Sequence, residues 1–215
     1  PVGMCRQCMV EIGRPMMDRA TGQPVLDEKG APKLQFGPKL ETSCTTPVSE
    51  GMVVISDSQK AKDSQKEILE LLLTNHPLDC PICDKGGECP LQNLTMDYGS
   101  SQSRFIFGEK QRQEKHVPLG DLIFLDRERC IQCARCIRFQ DEVAGEAVLG
   151  LDERGRNTQT VCLSTPGFDS VFSGNTTDIC PVGALTTADF RFGARPWELD
   201  AQASICTQCP VGCNT

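Results

Sequence analysis

The sequence predicts an α+β chain built from small modules in series, each folded around its own group of metal-binding cysteines. Three observations predict it. Fourteen of the 215 residues are cysteine, and nearly all fall in short clusters. Neighbours within a cluster are mostly two residues apart, which brings thiolates round the same side of a tight loop, whereas a disulfide between them would close almost no chain. Hydrophobic residues make up 39% and aromatics 5%. That is lean for a chain this long, so metal centres are expected to organise several small units in place of one large core.

Composition excludes several classes. The formal charge of −7 argues against nucleic acid, whose binders normally carry a basic patch. No stretch approaches eighteen apolar residues; the most apolar run, Ile68 to Leu73, is short and interrupted by Glu70. A secreted disulfide scaffold is opposed by the length, the two-residue gaps and the lack of a signal peptide. The chain opens on Pro1-Val2-Gly3 and stops two residues past a cysteine motif, so it reads as an internal piece of a longer protein.

Four units follow in order. Residues 1–57 hold Cys5, Cys8 and Cys44, interrupted by a stretch from Arg14 to Lys39 rich in Gly and Pro that reads as a surface insertion or loose hairpin. The β-branched run Gly51 to Ile55 is a short strand. In residues 58–100, Asp57 or Ser58 caps a helix to about Thr74 with apolar positions Ala61, Ile68, Leu71 and Leu72. His76-Pro77 ends it, because proline disfavours helix at the residue before it. Residues 78–100 are expected to be a ligand loop with at most one turn of helix. In residues 101–200, Leu122 to Leu125 reads as a strand and Ile137 to Val143 as a short helix. A fourth unit, 201–215, begins near Ala201.

Cys130-x2-Cys133-x2-Cys136 matches the first three positions of the two-cluster ferredoxin run C-x2-C-x2-C-x3-C-P, but Gln140 stands at the fourth. In that pattern the fourth cysteine of one run ligates the other cluster, so the missing ligand comes from a second run, and Cys180-Pro181 supplies it. Counting back from Cys180 with the same spacing gives Thr176, Ser173 and Ser170, hydroxyls where ligands would stand. One complete [4Fe–4S] set survives: Cys130, Cys133, Cys136 and Cys180. Zinc is the alternative, though x2-x2 spacing suits a corner of an iron–sulfur cage better than a tetrahedral knuckle.

His76 lies four residues before Cys80-x2-Cys83-x5-Cys89, a mixed site of one imidazole and three thiolates. A neutral imidazole in place of a thiolate removes one negative charge and should raise the potential, the direction seen in Rieske centres. Gly86 and Gly87 are expected to let backbone N–H groups approach the site. Cys5, Cys8 and Cys44 are three ligands of four for a [2Fe–2S] centre whose first cysteine would lie before Pro1. Cys206, Cys209 and Cys213 are three of four for a further [4Fe–4S] site, with the fourth beyond Thr215. Cys162 fits no spacing and reads as a buried apolar thiol, and His116 as a surface residue.

These motifs resemble one family, the large iron–sulfur subunit of NADH–quinone oxidoreductase (respiratory complex I). The resemblance rests on Pro1-Val2-Gly3-Met4-Cys5-Arg6-Gln7-Cys8, on Asn75 to Cys89, on Asp126 to Cys133, and on Ser173-Gly174-Asn175 with Cys180 to Leu185. It implies a [2Fe–2S] ferredoxin-like β-grasp domain, a one-His/three-Cys [4Fe–4S] module, a degenerate two-cluster ferredoxin-like domain with a four-Cys [4Fe–4S] centre, and the start of a molybdopterin-oxidoreductase-like domain.

It further implies a one-electron relay on the cytoplasmic side of a bacterial inner membrane. Electrons would come from an NADH/FMN-binding partner subunit and pass toward quinone, among other peripheral-arm subunits, with no catalytic residue on this chain. The nearest rival is a diaphorase-type subunit of an NAD-linked hydrogenase or formate dehydrogenase. Those relatives usually keep both ferredoxin cubanes, whereas Gln140, Ser170, Ser173 and Thr176 mark one as lost. A structural zinc protein is the rival from another class.

Overall fold

The computed structural model describes residues 3–165, 167–207 and 209–215; Pro1 and Val2 of the first resemblance segment lie outside them. The N-terminal sheet is organised by β1 (Met9–Pro15), which pairs antiparallel with β2 (Leu34–Phe36), β3 (Glu41–Thr42) and β4 (Val53–Ile55). Val10 and Ile12 alternate along β1 and are buried, as a strand with one covered face requires. The breaker-rich stretch is the hairpin between β1 and β2. Its turns are held by Asp18, which accepts from Ala20 N–H at 2.9 Å, and by Asp27, which accepts from Lys29 N–H at 2.8 Å. Short acidic side chains closing their own loops in this way are the usual chemistry of such turns.

Helix α1 (Gln59–Asn75) starts where expected, with the Ser58 hydroxyl accepting from Ala61 N–H at 3.2 Å. Its buried residues are Ala61 and Leu69, and Leu71 is 66% exposed. Of the predicted apolar positions Ala61 is buried and Leu72 packs on the core, but Leu69 and Leu73 take the inward places expected of Ile68 and Leu71, so that Leu69, Leu72 and Leu73 face the core at i, i+3 and i+4. The loop that follows is also more helical than expected. After a single 3₁₀ turn, Cys80–Ile82, comes α2 (Pro90–Tyr98), nine residues long. Pro90 at its first turn presets the helical φ and lacks only an N–H that the helix would leave unpaired anyway.

Beyond it, β5 (Val117–Pro118), β6 (Ile123–Leu125) and β9 (Leu185–Thr187) form an antiparallel sheet in the order β5-β6-β9. The predicted strand at 122–125 is β6. Its register puts Leu125 opposite Leu185, and Asp126 N–H donates to Ala184 O at 2.7 Å. The strand before Cys130 is thus zipped to the strand after Cys180, which brings two distant cysteines to one end of the sheet. Between them run α3 (Arg135–Arg138), a π-helical turn Phe139–Val143, the hairpin β7 (Leu149–Asp152) and β8 (Gln159–Cys162), and α4 (Asn175–Ile179). The short helix expected at 137–143 begins two residues earlier and widens to π at Phe139.

One core joins these parts. Leu69, Cys89 and Leu91 pack with Leu119, Ile123, Leu125, Phe168, Val182 and Leu185. No helix among the described residues is long and apolar enough to cross a membrane.

Leu69→Ala should cost about 3 kcal/mol of folding stability, since it empties a fully buried site. Leu71→Ala, on the exposed face of the same helix, should change stability by no more than about 0.5 kcal/mol. Chemical denaturation of both variants checks which face of α1 is buried.

Candidate iron–sulfur centres

The first centre is assembled by the end of α1. His76, three residues past Leu73, leaves the helix as its C-cap. The 3₁₀ turn presents Cys80, and Cys89 is the N-cap residue of α2. His76, Cys80, Cys83 and Cys89 line one cavity of about 430 Å³. Burial is the main cause that pushes the His76 pKa down to about 4; the charges of Lys110 and Arg129 add to it, and Asp79 opposes. The imidazole is therefore neutral near pH 7, the form that ligates metal. Burial pushes the Cys83 thiol up, countered by the Arg129 charge and by a hydrogen bond from the Lys85 backbone.

The two glycines serve a purpose other than the one predicted. Gly86 N–H donates to Cys83 O at 2.9 Å and Gly87 N–H to the Gln92 side chain at 3.1 Å, so neither is left for the site. Glycine is needed for space: a Cβ on Gly86 would lie 2.7 Å from Cys80 O. At Gly87, with φ of +100°, a Cβ would lie 2.9 Å from the Trp197 ring.

A clamp that sequence reasoning missed closes this loop from outside. The Arg195 guanidinium donates to the carbonyls of Cys80, Pro81 and Cys83, the first at 3.3 Å. Phe192 N–H donates to both carboxylate oxygens of Asp84 at 3.1 Å. The only signal was Trp197, the sole tryptophan of the chain, beside Arg195-Pro196.

The second centre sits at the end of the β6–β9 zipper. Cys130, Cys133, Cys136 and Cys180 line one small cavity of about 20 Å³. Gln132 and Ala134 have φ of 56° and 58°, left-handed values that alternate with ordinary ones. Such alternation turns successive N–H groups inward as an anion-binding nest. Gln132 N–H donates to Cys130 Sγ at 3.4 Å, and the Arg135 and Ile137 backbones hydrogen-bond Cys133 and Cys136. Burial nonetheless dominates, pushing Cys133 up to about 11 and Cys136 up to about 12.

Gln140, Ser170, Ser173 and Thr176, the positions of the degenerate run, are all buried. Thr176 Oγ1 donates to Ser173 O at 2.6 Å and Ser170 Oγ accepts from Phe172 N–H at 3.2 Å, so the hydroxyls serve their own turns. Neither amide atom of Gln140 has a hydrogen-bond partner among the described residues.

The two centres share a strip of backbone. Cys89 Sγ lies 3.7 Å from Pro181 O, and Gly183 lines the His76 cavity with its Cα against Cys83 Sγ, where a Cβ would collide. The peptide from Cys180 to Gly183 thus belongs to one centre by sequence and touches the other.

The outer groups are simpler. Arg6, with φ of 58°, turns the Cys5–Cys8 loop toward Cys44. Burial raises the Cys8 thiol, but hydrogen bonds from Cys44 and Ser43 outweigh it and leave Cys8 below its ordinary value. Cys44 is raised by burial and by its neighbour Cys8. Cys206 N–H donates to Cys213 O at 2.8 Å, which sets those two side by side, with Cys209 exposed in the turn between. Cys162 is half-buried against the core with Sγ 3.1 Å from Ser164 Oγ, and the His116 ring stacks on Phe124 at 4.3 Å between centroids. Among the described residues no three His, Cys, Asp or Glu side chains are placed to hold a single metal ion.

Nest-forming cysteine loops on a small antiparallel sheet define a ferredoxin-like iron–sulfur protein, and comparison with known proteins agrees. The family model for the ferredoxin-like domain of NADH-quinone oxidoreductase subunit 3 matches residues 120–186. The model for the NADH-ubiquinone oxidoreductase-G iron-sulfur binding region matches residues 65–104. NADH-quinone oxidoreductase subunit 3 of Thermus thermophilus is 46% identical over 227 residues, covering 100% of this chain and 29% of the relative. The G subunit of the NADH-quinone oxidoreductase of Streptomyces coelicolor is 47% identical over 217 residues, covering 100% and 23%. A crystal structure of an NAD+-reducing [NiFe]-hydrogenase superposes with a TM-score of 0.65 at 28% identity, covering 89% of this chain and 72% of that one. The chain belongs to the family of the large iron–sulfur subunit of NADH-quinone oxidoreductase, designated G or 3 in different organisms. It spans less than a third of the length of these curated relatives.

Arg195→Ala should free three carbonyls of the Cys80–Cys83 loop. Amide exchange is expected to quicken roughly tenfold or more across residues 80–88, matching the loss of about 1.4 kcal/mol or more of local hydrogen bonding. Hydrogen-exchange mass spectrometry of the loop against the β6–β9 sheet, which should be unchanged, is the check.

Proposed function

We propose that this chain is an electron-relay segment of an NADH-quinone oxidoreductase, carrying electrons from an NADH- and flavin-binding partner subunit toward quinone. The observation that carries the reading is that each complete ligand set predicted from spacing lines one cavity, with the two cavities sharing the Cys180–Gly183 strip. In this reading His76, Cys80, Cys83 and Cys89 hold one [4Fe–4S] cluster, and Cys130, Cys133, Cys136 and Cys180 hold another. Cys5, Cys8 and Cys44 contribute to a [2Fe–2S] cluster, and Cys206, Cys209 and Cys213 to a further [4Fe–4S] site. The relay works beside other peripheral-arm subunits on the cytoplasmic face of the membrane.

Such clusters supply reversible one-electron chemistry when bound. The residues do the rest. Thiolates that line a cavity offer one ligand to each iron of a cage, whereas a zinc site would draw all four onto one point. Backbone N–H groups from Gln132, Arg135 and Ile137 stabilise negative charge on the sulfurs they face. Neutral His76 leaves its centre less negative than the four-thiolate one, which favours acceptance of an electron there. The hydrogenase likeness keeps the diaphorase-type reading as the second choice; identities of 46% and 47% against 28% place the oxidoreductase first.

Cys133→Ser and Cys180→Ser, 47 residues apart in sequence, should perturb the same EPR signal of the dithionite-reduced protein and leave the His76 centre's signal in place. Perturbation of two different signals would refute the shared ligand set. Pulsed EPR of the His76 centre should in addition show a strongly coupled ¹⁴N that disappears in His76→Cys.

A further inference from the structure

The residue immediately before Cys130 is Arg129, and the residue immediately before Cys80 is Asp79. The fold brings these two together. Arg129 Nε and a terminal nitrogen both donate to Asp79 Oδ2, at 3.2 and 3.1 Å. Arg129 Nε also lies 3.2 Å from Asp126 Oδ2, and its backbone N–H donates to Asp126 Oδ1 at 3.1 Å. Lys115 completes the group from the rim, 2.6 Å from both Asp79 and Glu128. Arg129 is 3% exposed, Asp126 4% and Glu128 8%.

This is not a surface ion pair of the kind that contributes little. Charges with so little water around them act on their neighbours through a lower effective dielectric than exposed ones do. Arg129 also lines the cavity of His76, Cys80, Cys83 and Cys89, although by sequence it belongs to the other ligand loop. A fixed cation beside a redox site stabilises the form that carries the extra electron, and a fixed anion does the reverse. Neither spacing rules nor the ligand set assigns a part to either residue.

We propose that Arg129 and Asp79 are positioning residues that set the potential of the His76 centre in opposite directions while tying the two ligand loops together. The inference rests on the reading that this centre holds a cluster. Arg129 raises the potential by facing the cavity as a permanent charge. Asp79 lowers it and holds the guanidinium in place. The charge of one centre's loop thereby biases the other centre's electron affinity, making the pair an ordered step.

EPR-monitored redox titration of the full protein tests this with three variants. Arg129→Gln should lower the midpoint of the signal assigned to the His76 centre. The expected shift is roughly tenfold in the reduced-to-oxidised ratio at fixed potential, about 59 mV for one electron. Arg129→Lys, which keeps the charge without the planar fork, should recover most of that shift. Asp79→Asn should move the same midpoint the other way.

If Arg129→Gln fails to fold with Asp79 and Asp126 left unpaired, Asp79→Asn decides alone: a raised midpoint supports the proposal, and an unmoved or lowered one overturns it. Shifts of the same sign in Arg129→Gln and Asp79→Asn would overturn it too. So would a shift confined to the signal lost in Cys133→Ser. Absence of any histidine-coordinated reducible signal in the unmodified protein would defeat the cluster reading itself, a result distinct from an unmoved midpoint.

Discussion

The conflict between burial and thiolate charge governs this structure. Cys133 and Cys136 sit where burial pushes their pKa values to about 11 and about 12, and Cys130 and Cys83 are raised for the same reason. Iron is ligated by the thiolate, so these sites favour the wrong protonation state until a metal takes the proton's place.

Much of the surrounding architecture lessens that conflict. Left-handed residues at Gln132 and Ala134 aim N–H groups inward, whereas the β6–β9 pairing, by carrying Cys180 back to Cys130, adds a further thiol that raises Cys130, Cys133 and Cys136. Neutral His76 spares the other centre one buried negative charge. The Cys180–Gly183 strip, pressed on Cys83 and Cys89, lets two centres share one hydrophobic core built from Leu69, Leu91, Leu125 and Leu185. Two modules that read as separate in sequence are thereby packed as neighbours.

Spacing picked out cysteines that the fold gathers, because short offsets keep side chains on one tight loop. Each four-residue set, including the long-range partner Cys180, lines a single cavity. The Ser58 cap and the stop at His76-Pro77 were legible for the same reason: each is a local event with a local cause. What escaped was set by tertiary packing. Nothing within α1 tells Leu69 from Leu71 until α2 and the β6 sheet lie against it. The roles of Gly86 and Gly87 depend on Cys80 O and Trp197, the latter more than a hundred residues away. The Arg195 clamp and the Arg129–Asp79 contact have no offset to read, because they are pairings of distant loops.

What the two complete ligand sets hold is the most direct test of the relay. Metal and acid-labile sulfide analysis of the anaerobically purified protein, with EPR before and after dithionite, measures it. Iron and sulfide are expected in equal amounts, enough for at least two cubanes, with two distinct signals appearing on reduction. One zinc ion per ligand set, without labile sulfide or any reducible signal, would contradict the relay.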